Sequence, residues 1–286
     1  MNIRFFMAMR CTSQQYAKSL VERGCIKFNT PQSWVDYEKK HGKGRGDLFE
    51  GTFASCYHGD LDRIKKIAKQ YRVPSGGIYT EVVGPRLYYK RHSSMNLPAF
   101  CLYILKEDAF EYEPIPGWQD IKTTIPGSYF KDFVDNMTET EVKALPEQDQ
   151  PAIVVFSSFE DLKNRIIQKL LTLGIKRNEI LEHPVQYYDY NQYGPDGWFE
   201  LPFDPPGELA IKSKTFENQS ELRFVINSKN KRAMDYLRNN VIEIGPLNDI
   251  AQVVCGYFPD GIAVSMRAYL EEISDAECGT SPCNDL

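Results

Sequence analysis

Short runs in which apolar and polar residues alternate recur along the whole chain, and each of them predicts a β-strand. These runs are rich in β-branched and aromatic residues, which favour half-buried strands. They cover residues 2–9, 25–28, 52–57, 78–83, 86–89, 99–105, 152–156, 185–190, 209–212, 222–226, 241–244 and 251–255. Strands this short and numerous, without a regular alternation of strand and helix, favour antiparallel pairing.

Only three or four segments show the three- and four-residue spacing of apolar side chains that predicts a helix. One of them begins after Thr12 or Ser13, either of which can cap it, and ends at Gly24. The others cover residues 60–72, 129–136 and about 160–173. We therefore predict an α+β fold, and a doubly wound parallel sheet would contradict this prediction.

Composition is ordinary for a globular protein: 42 % of the 286 residues are hydrophobic and 26 % are charged. No run approaches the ~18 apolar residues that a membrane-spanning helix needs, and no export signal is visible at the start of the chain. The seven cysteines, several of them in apolar surroundings, suggest free thiols in a reducing compartment. We therefore expect a cytoplasmic protein without membrane contact.

The net charge of −5 argues mildly against non-specific binding to long nucleic acids. Two stretches nevertheless concentrate cations, namely the predicted helix 60–72 and the segment 85–92, in which the cations stand beside tyrosines. Such stretches suit stacking on bases and contact with phosphates. A solvated helix face and a hairpin with a polar outer face are the alternative interpretations.

Several enzyme classes lack their motifs here. The glycine-rich loop 39–51 does not end in Gly-Lys-Ser/Thr, so it does not predict a nucleoside triphosphate site. No Gly-x-Ser-x-Gly motif is present, which argues against a serine hydrolase. The four histidines lie far apart without metal-ligand spacing, and no metal site is predicted. They are His41, His58, His92 and His183.

The most informative stretch is 215–227, where a polar turn leads into the strand 222–226. Gln219 and Glu221 stand two residues apart at this junction, and an extended backbone places such side chains on the same side. An aromatic residue, Phe216, lies just before them. The pattern suits a site where a charge and a hydrogen-bonding group act on one small ligand, and the alternative is a turn with a solvated carboxylate.

In chain order, this stretch follows an arginine on the first strand, Arg10 or Arg4, and a serine on a later strand, Ser55. The order Arg, Ser, Gln-x-Glu resembles the ADP-ribosyltransferase superfamily of the Arg-Ser-Glu type. The second element is Ser-Cys-Tyr instead of Ser-Thr-Ser, so only its first serine matches. Residues 46–51 and 221–223 also resemble a group of uncharacterised bacterial proteins that have Asp-Pro-Phe-Glu-Gly early and Glu-x-Arg late.

The resemblance implies a role for each matched residue. Glu221 would stabilise the positive charge that develops on the ribose when the nicotinamide bond of NAD breaks. Gln219 would present the acceptor nucleophile, and both residues would be catalytic. The first-strand arginine would hold the pyrophosphate, Ser55 would orient the ribose, and Phe216 would complete the NAD-binding residues.

The resemblance further implies an NAD-dependent mono-ADP-ribosyltransferase, either a bacterial toxin or an anti-phage effector. NAD would be its co-substrate, and RNA, DNA or protein would be the acceptor. Because the free enzyme would harm its host, we expect a neutralising antitoxin partner. The runner-up hypothesis is a non-catalytic module that binds nucleic acid or a partner through segments 85–92 and 187–193.

The resemblance also implies one ADP-ribosyltransferase-like domain over residues 1–274, with two bent antiparallel sheets forming a cleft and helices outside. Residues 106–205 exceed the minimal fold, and we interpret them as an insertion. The polar residues 275–286 are expected to form a flexible tail.

Overall fold

The computed structural model describes residues 5–42, 46–72, 77–106, 109–113, 115–190, 197–201 and 204–270. The helices are α1 (Gln14–Arg23), α2 (Pro31–His41), α3 (Leu61–Tyr71), α4 (His92–Met95), α5 (Gly127–Phe133), α6 (Glu139–Lys143), α7 (Phe159–Thr172) and α8 (Lys231–Asn239). The strands are β1 (Phe5–Ser13), β2 (Cys25–Lys27), β3 (Thr52–Tyr57), β4 (Ile78–Val83), β5 (Arg86–Arg91), β6 (Ala99–Lys106), β7 (Gly117–Ile125), β8 (Pro151–Phe156), β9 (Ile180–Pro184), β10 (Gln186–Tyr188), β11 (Phe199–Glu200), β12 (Ile211–Ser213), β13 (Glu221–Ile226), β14 (Val241–Glu243), β15 (Ala251–Cys255) and β16 (Ile262–Leu270).

A six-stranded antiparallel sheet, in the order β15-β8-β1-β6-β13-β9, forms the centre of the described structure. One face of this sheet packs against α1, α7 and α8, whose apolar stripes share a single core with it. That core includes Leu20 of α1, Ile166 of α7 and Leu237 of α8, all buried. Burial of these apolar side chains is the main stabilising contribution to this layer.

Successive side chains of β13 point to opposite faces of the central sheet. Leu222, Phe224 and Ile226 point into the helix-packed core. Glu221 and Arg223 therefore point to the opposite face, because successive strand residues alternate. All six residues of the strand are buried, so the charged face of β13 is covered by other parts of the chain.

Two further layers provide that cover. A four-stranded sheet, in the order β11-β3-β5-β4, has its own apolar clusters, and the turn formed by residues 47–51 leads into its strand β3. Elsewhere on the same face, α5 packs with the paired strands β7 and β16 against β1, β6 and β8. The charged residues of β13 lie near both layers.

The α+β class with antiparallel sheets is confirmed. The described strand pairs are antiparallel except for the short parallel pair of β10 and β12. The predicted strands 52–57 and 78–83 match β3 and β4, and the helix predicted to end at Gly24 matches α1. Segment 106–205, interpreted as an insertion, contributes β8 and β9 to the central sheet, and the tail 275–286 lies outside the described residues.

The prediction of only three or four helices was wrong, since α2 and α8 were missed along with β7 and β16. Pro31 is the first residue of α2, where a missing N–H costs no hydrogen bond. Strand β7 is polar on its outer side, and its partner β16 lies more than a hundred residues later, so local patterns did not reveal the pair. In the described part of the chain, no helix has the length and apolar character needed to cross a membrane.

A candidate active site around Glu221

Glu221 begins β13, and the backbone just before it turns sharply. Ser220 has a left-handed conformation with φ of 36°, and its hydroxyl donates to the carbonyl of Ile104 at 2.6 Å. Gln219 ends the preceding 3₁₀ turn over residues 214–219 and does not belong to the strand. Gln219 and Glu221 are therefore brought together by this turn and not by strand alternation, which had been the sequence-based reason for their proximity.

Lys212 of β12 links the two residues. Its ammonium group donates to Oε1 of Gln219 at 2.6 Å and to Oε2 of Glu221 at 2.9 Å. The same nitrogen lies 4.9 Å from the ring centroid of Phe216. Lys212 was missed in the sequence, because nothing in its local pattern distinguishes it from a solvated lysine.

Arg223 holds the other oxygen of the Glu221 carboxylate. Its Nε donates to Oε1 of Glu221 at 2.6 Å, and its two terminal nitrogens bind both carboxylate oxygens of Glu50. The Arg223 and Glu50 side chains are each only 1 % exposed. The guanidinium carbon lies 5.0 Å from the ring centroid of Trp34. Arg223 therefore fixes Glu221 from inside the fold.

The turn that carries Glu50 is attached to the same site through Asp47. This buried carboxylate accepts from the backbone N–H of Phe49 at 2.8 Å and from that of Ser213 at 3.5 Å. Residues 46–51 and 221–223, which the sequence analysis matched to one group of bacterial proteins, thus meet in space. The contact that joins them is the ion pair between Glu50 and Arg223.

The surroundings keep Glu221 ionised. Burial alone would raise the pKa of its carboxyl, but the charges of Arg223 and Lys212, with the hydrogen bond from Arg223, outweigh burial and lower that pKa. Burial would likewise lower the pKa of Lys212, but the nearby carboxylates raise it. Burial raises the pKa of Asp47 despite the charge of Lys212. The site therefore holds a permanently charged Glu221–Lys212 pair at neutral pH.

The side-chain amide of Gln219 has a fixed direction. Its oxygen accepts from Lys212, and its Nε2 donates to Oδ2 of Asp132 at 3.2 Å. Asn218 donates to the same Asp132 oxygen at 3.1 Å. Asp132 belongs to α5, so that helix sets the position of the Gln219 amide beside Glu221.

The structure does not bring Arg10 of β1 into direct contact with the groups around Glu221. Its guanidinium donates to the backbone carbonyl of Cys101 and lies 4.8 Å from the ring centroid of Phe100. The Cys101 side chain lies close enough to Glu221 to contribute to the lowering of its pKa. Met9 and Cys11, on either side of Arg10 in β1, face the α5 layer, so the Arg10 side chain lies on the helix-packed face of the central sheet, opposite to Glu221. Arg4, the alternative arginine of the first strand, lies outside the described residues.

Ser55 lies in the second sheet and has a different partner. Its hydroxyl accepts from Nε of Arg86 at 3.1 Å, and its cross-strand neighbours are Tyr88 and Phe199. The hydrogen bond described for Ser55 is therefore to Arg86 and not to Glu221.

The cations of segment 85–92 are not displayed to solvent, which corrects both interpretations of that stretch. Arg86 and Lys90 are buried. Lys90 donates to the carbonyl of Leu48, and Arg91 lies 3.0 Å from the buried carboxylate of Glu208. These cations bind groups of the protein itself, because β5 is an inner strand of its sheet.

Other places in the described ranges offer less chemistry. A surface groove of about 740 Å³ lies between α1 and the segment around Pro146, beside the outer strand β15. The charged residues that line it are exposed, and none of the groups around Glu221 reaches it. No group of three or more His, Cys, Asp or Glu side chains in the described ranges is arranged to hold a metal ion. The cluster around Glu221 is therefore the candidate site.

Comparison with known proteins gives no relative from which a function can be transferred. No protein-family model, no curated protein and no solved structure matches the chain.

Proposed function

We propose that this protein is an NAD-dependent mono-ADP-ribosyltransferase acting in the bacterial cytoplasm as a toxin or anti-phage effector. The observation that carries the proposal is the Glu221 carboxylate, which Lys212 and Arg223 hold in its ionised form next to the oriented amide of Gln219. NAD is its co-substrate, and the acceptor is nucleic acid or protein.

The proposed reaction needs a fixed negative charge. As the bond between nicotinamide and ribose breaks, its electron pair leaves with the nicotinamide nitrogen and positive charge develops on the ribose. A carboxylate held in place before the reaction stabilises that charge without reorganising. The pKa of Glu221 is lowered by its two cationic partners, so the group is charged throughout the neutral range.

The remaining residues have supporting roles in this proposal. Arg10 is assigned the pyrophosphate, but its side chain packs on Phe100 at the sheet face opposite to Glu221, which does not support this role. Phe216 packs beside Lys212 and contacts the nicotinamide ribose. The Ser55 hydroxyl is bonded to Arg86 within the second sheet and has no described bond to Glu221, so its role in holding NAD is weakly supported.

The main experiment compares Glu221→Gln with Glu50→Gln. Both variants remove a buried carboxylate from Arg223, and breaking such pairs costs up to about 3–5 kcal/mol of stability. Because Glu221 is buried and paired, its replacement is expected to destabilise the fold as well as to change the chemistry. Glu50→Gln is therefore the matched control for destabilisation.

We expect Glu221→Gln to reduce nicotinamide release from NAD by about a hundred- to a thousandfold, the usual effect of losing one preorganised electrostatic group. Glu50→Gln should retain most of the rate per folded molecule, measured after calorimetry has established the folded fraction. NAD consumption that is absent from the wild type, or equal in both variants, would contradict the proposal. If the buried charges around Arg223 had only a structural role, the two variants would consume NAD at equal rates per folded molecule.

Gln219→Ala tests the acceptor half of the reaction. Loss of this amide should leave NAD hydrolysis largely intact and abolish transfer of ADP-ribose to the acceptor, detected by mass spectrometry of cells that express the protein. Asn218→Ala is the matched control, because both amides donate to the same oxygen of Asp132. Equal loss of hydrolysis and of transfer in Gln219→Ala would show that Gln219 does not act on the acceptor alone.

A neutralising partner should relieve growth inhibition by the wild type.

A further inference from the structure

Helix α3 presents an unusually cationic face. Ile64, Ile67 and Tyr71 pack against the second sheet, so the opposite side of the helix faces outward. Residues 61–72 contain five cations and a single carboxylate, although the whole chain has a net charge of −5. Lys65, Lys66 and Lys69 are exposed. Lys65 and Lys69 stand four residues apart, where like charges repel and destabilise a helix.

The exposed lysines of α3 lack ion pairs within the described part of the chain. Lysines on three other helices form ion pairs with carboxylates of the same helix, namely Lys18 with Glu22, Lys143 with Glu139, and Lys163 with Glu160. Three further exposed lysines, Lys40, Lys131 and Lys231, resemble those of α3 in having no described ion pair, but each is the only such lysine on its helix. Within the described ranges, Lys65, Lys66 and Lys69 have no carboxylate at ion-pair distance. Their positive charge is therefore available to an external anion.

An exposed indole lies beside this cationic face. Trp198 is 39 % exposed, and the Arg63 guanidinium carbon lies 3.9 Å from the centroid of its ring. The ammonium of Lys66 is 6.0 Å from the same ring. The next residue, Phe199, is buried among tyrosines and holds the strand β11 in place. Trp198 is thus a supported aromatic surface with cations around it.

We propose that Lys65, Lys66, Lys69, Arg63 and Trp198, together called the α3 surface, bind single-stranded nucleic acid. Lysines contact the phosphates, and an unpaired base stacks on the indole. A membrane is a poorer fit, since the apolar side of α3 is already used in packing against the second sheet. A duplex is also a poorer fit, because its stacked bases cannot reach Trp198. The inference goes beyond the proposed function, since binding does not require NAD.

The test is fluorescence anisotropy of the full chain with a labelled 12-nucleotide single strand of mixed sequence, as RNA and as DNA, at several salt concentrations and without NAD. We expect binding that weakens with salt. Lys65→Ala/Lys69→Ala should weaken it and lower the slope against the logarithm of salt concentration by up to about 1.4, or about 0.7 for each lost phosphate contact. Lys18→Ala/Lys143→Ala, which removes the same charge from other helices, should leave affinity and slope close to wild type.

Trp198→Ala should weaken binding by about fivefold to a hundredfold, the usual range for loss of one stacked base, and Trp198→Phe should restore part of it. Circular dichroism establishes that each variant is folded. Three results would overturn the inference: absence of binding at low salt, equal losses in the two lysine double variants, or preference for a duplex of the same sequence or for anionic vesicles. None of these results bears on nicotinamide release, so the proposed transferase activity stands or falls separately.

Discussion

At the scale of single residues, the chemistry of the site depends on which charges burial brings together. Two cations lower the pKa of Glu221. Burial instead raises the pKa of Asp47, which also lies near Lys212. Both are carboxyls in the same buried region. The difference arises because Glu221 has direct ion pairs to Lys212 and Arg223, while the bonds to Asp47 come from backbone N–H groups.

This difference gives a pH prediction for Asp47→Asn. A carboxyl whose pKa is raised in the folded state resists ionisation there, so its ionisation costs stability once the pH exceeds the unfolded-state pKa of about 3.9. Asparagine removes that cost and keeps an oxygen for the N–H of Phe49. We expect the stability of the variant relative to wild type to increase as the pH rises from about 4, measured by urea unfolding at each pH.

Glu221 has the opposite effect, since it stabilises the fold above its unfolded-state pKa and loses that contribution as the pH falls. This effect is present in both the wild type and Asp47→Asn, so it cancels in their comparison. Lys212, Glu38, Glu50 and Lys90, the charged side chains that interact with Asp47, also remain in both proteins. A stability difference that is constant or declines with pH would mean that Asp47 ionises freely in the folded protein.

At the scale of elements, the starts of α1 and α2 illustrate how similar sequences act differently. Both helices have a hydroxyl residue at the N-cap position, Ser13 and Thr30. Thr30 forms a complete capping box with Ser33, whereas the Ser13 side chain makes no cap hydrogen bond and its oxygen is buried without a described partner. Helix α1 is instead capped at its C-terminal end, where Gly24 has a φ of 67° and its backbone N–H donates to the carbonyl of Leu20.

We therefore expect Thr30→Ala to lower the free energy of unfolding by about 1 kcal/mol, because an N–H at the start of α2 loses its partner. Ser13→Ala, the matched change at α1, should be neutral or slightly stabilising, since it removes a buried hydroxyl that lacks a hydrogen bond. Chemical denaturation of both variants measures the two values. Equal losses would show that Ser13 caps α1 in solution.

At the scale of the whole molecule, β13 connects the central sheet to the turn that leads into the second sheet. Arg223 crosses this junction, with Glu221 on its own strand and Glu50 in the turn before β3. Its guanidinium also donates to the carbonyl of Leu209 at 2.8 Å. The candidate site therefore lies where separate layers meet, and its geometry depends on their contact.

Arg223→Met should destabilise the protein by about 3–5 kcal/mol, because two buried carboxylates lose their shared cation. Adding Glu50→Gln to this variant should cost less than Glu50→Gln costs in the wild type, since the ion pair has already gone. A double-mutant cycle by urea unfolding should give a coupling energy of about 0.5–3 kcal/mol. Additive effects would mean that the layers are held together without this pair.

The sequence by itself determined those elements whose apolar pattern is regular and local. Alternation predicted β3 and β13 to within a residue, and apolar spacing with a terminal glycine predicted α1. These patterns are local because side-chain direction repeats every two residues in a strand and every 3.6 in a helix. The closeness of Gln219 and Glu221 was predicted for the wrong reason, since a 3₁₀ turn and Lys212 bring them together and strand alternation does not.

Only the tertiary structure decided what surrounds Glu221. Glu50 is 171 residues away in sequence and reaches Glu221 through Arg223, and Lys212 becomes part of the site because β12 is placed beside the 3₁₀ turn. Burial of Lys90 was equally unpredictable, since its neighbours come from a distant turn. Whether a charged side chain is solvated or paired depends on the register and packing of remote strands, and a local pattern contains no information about either.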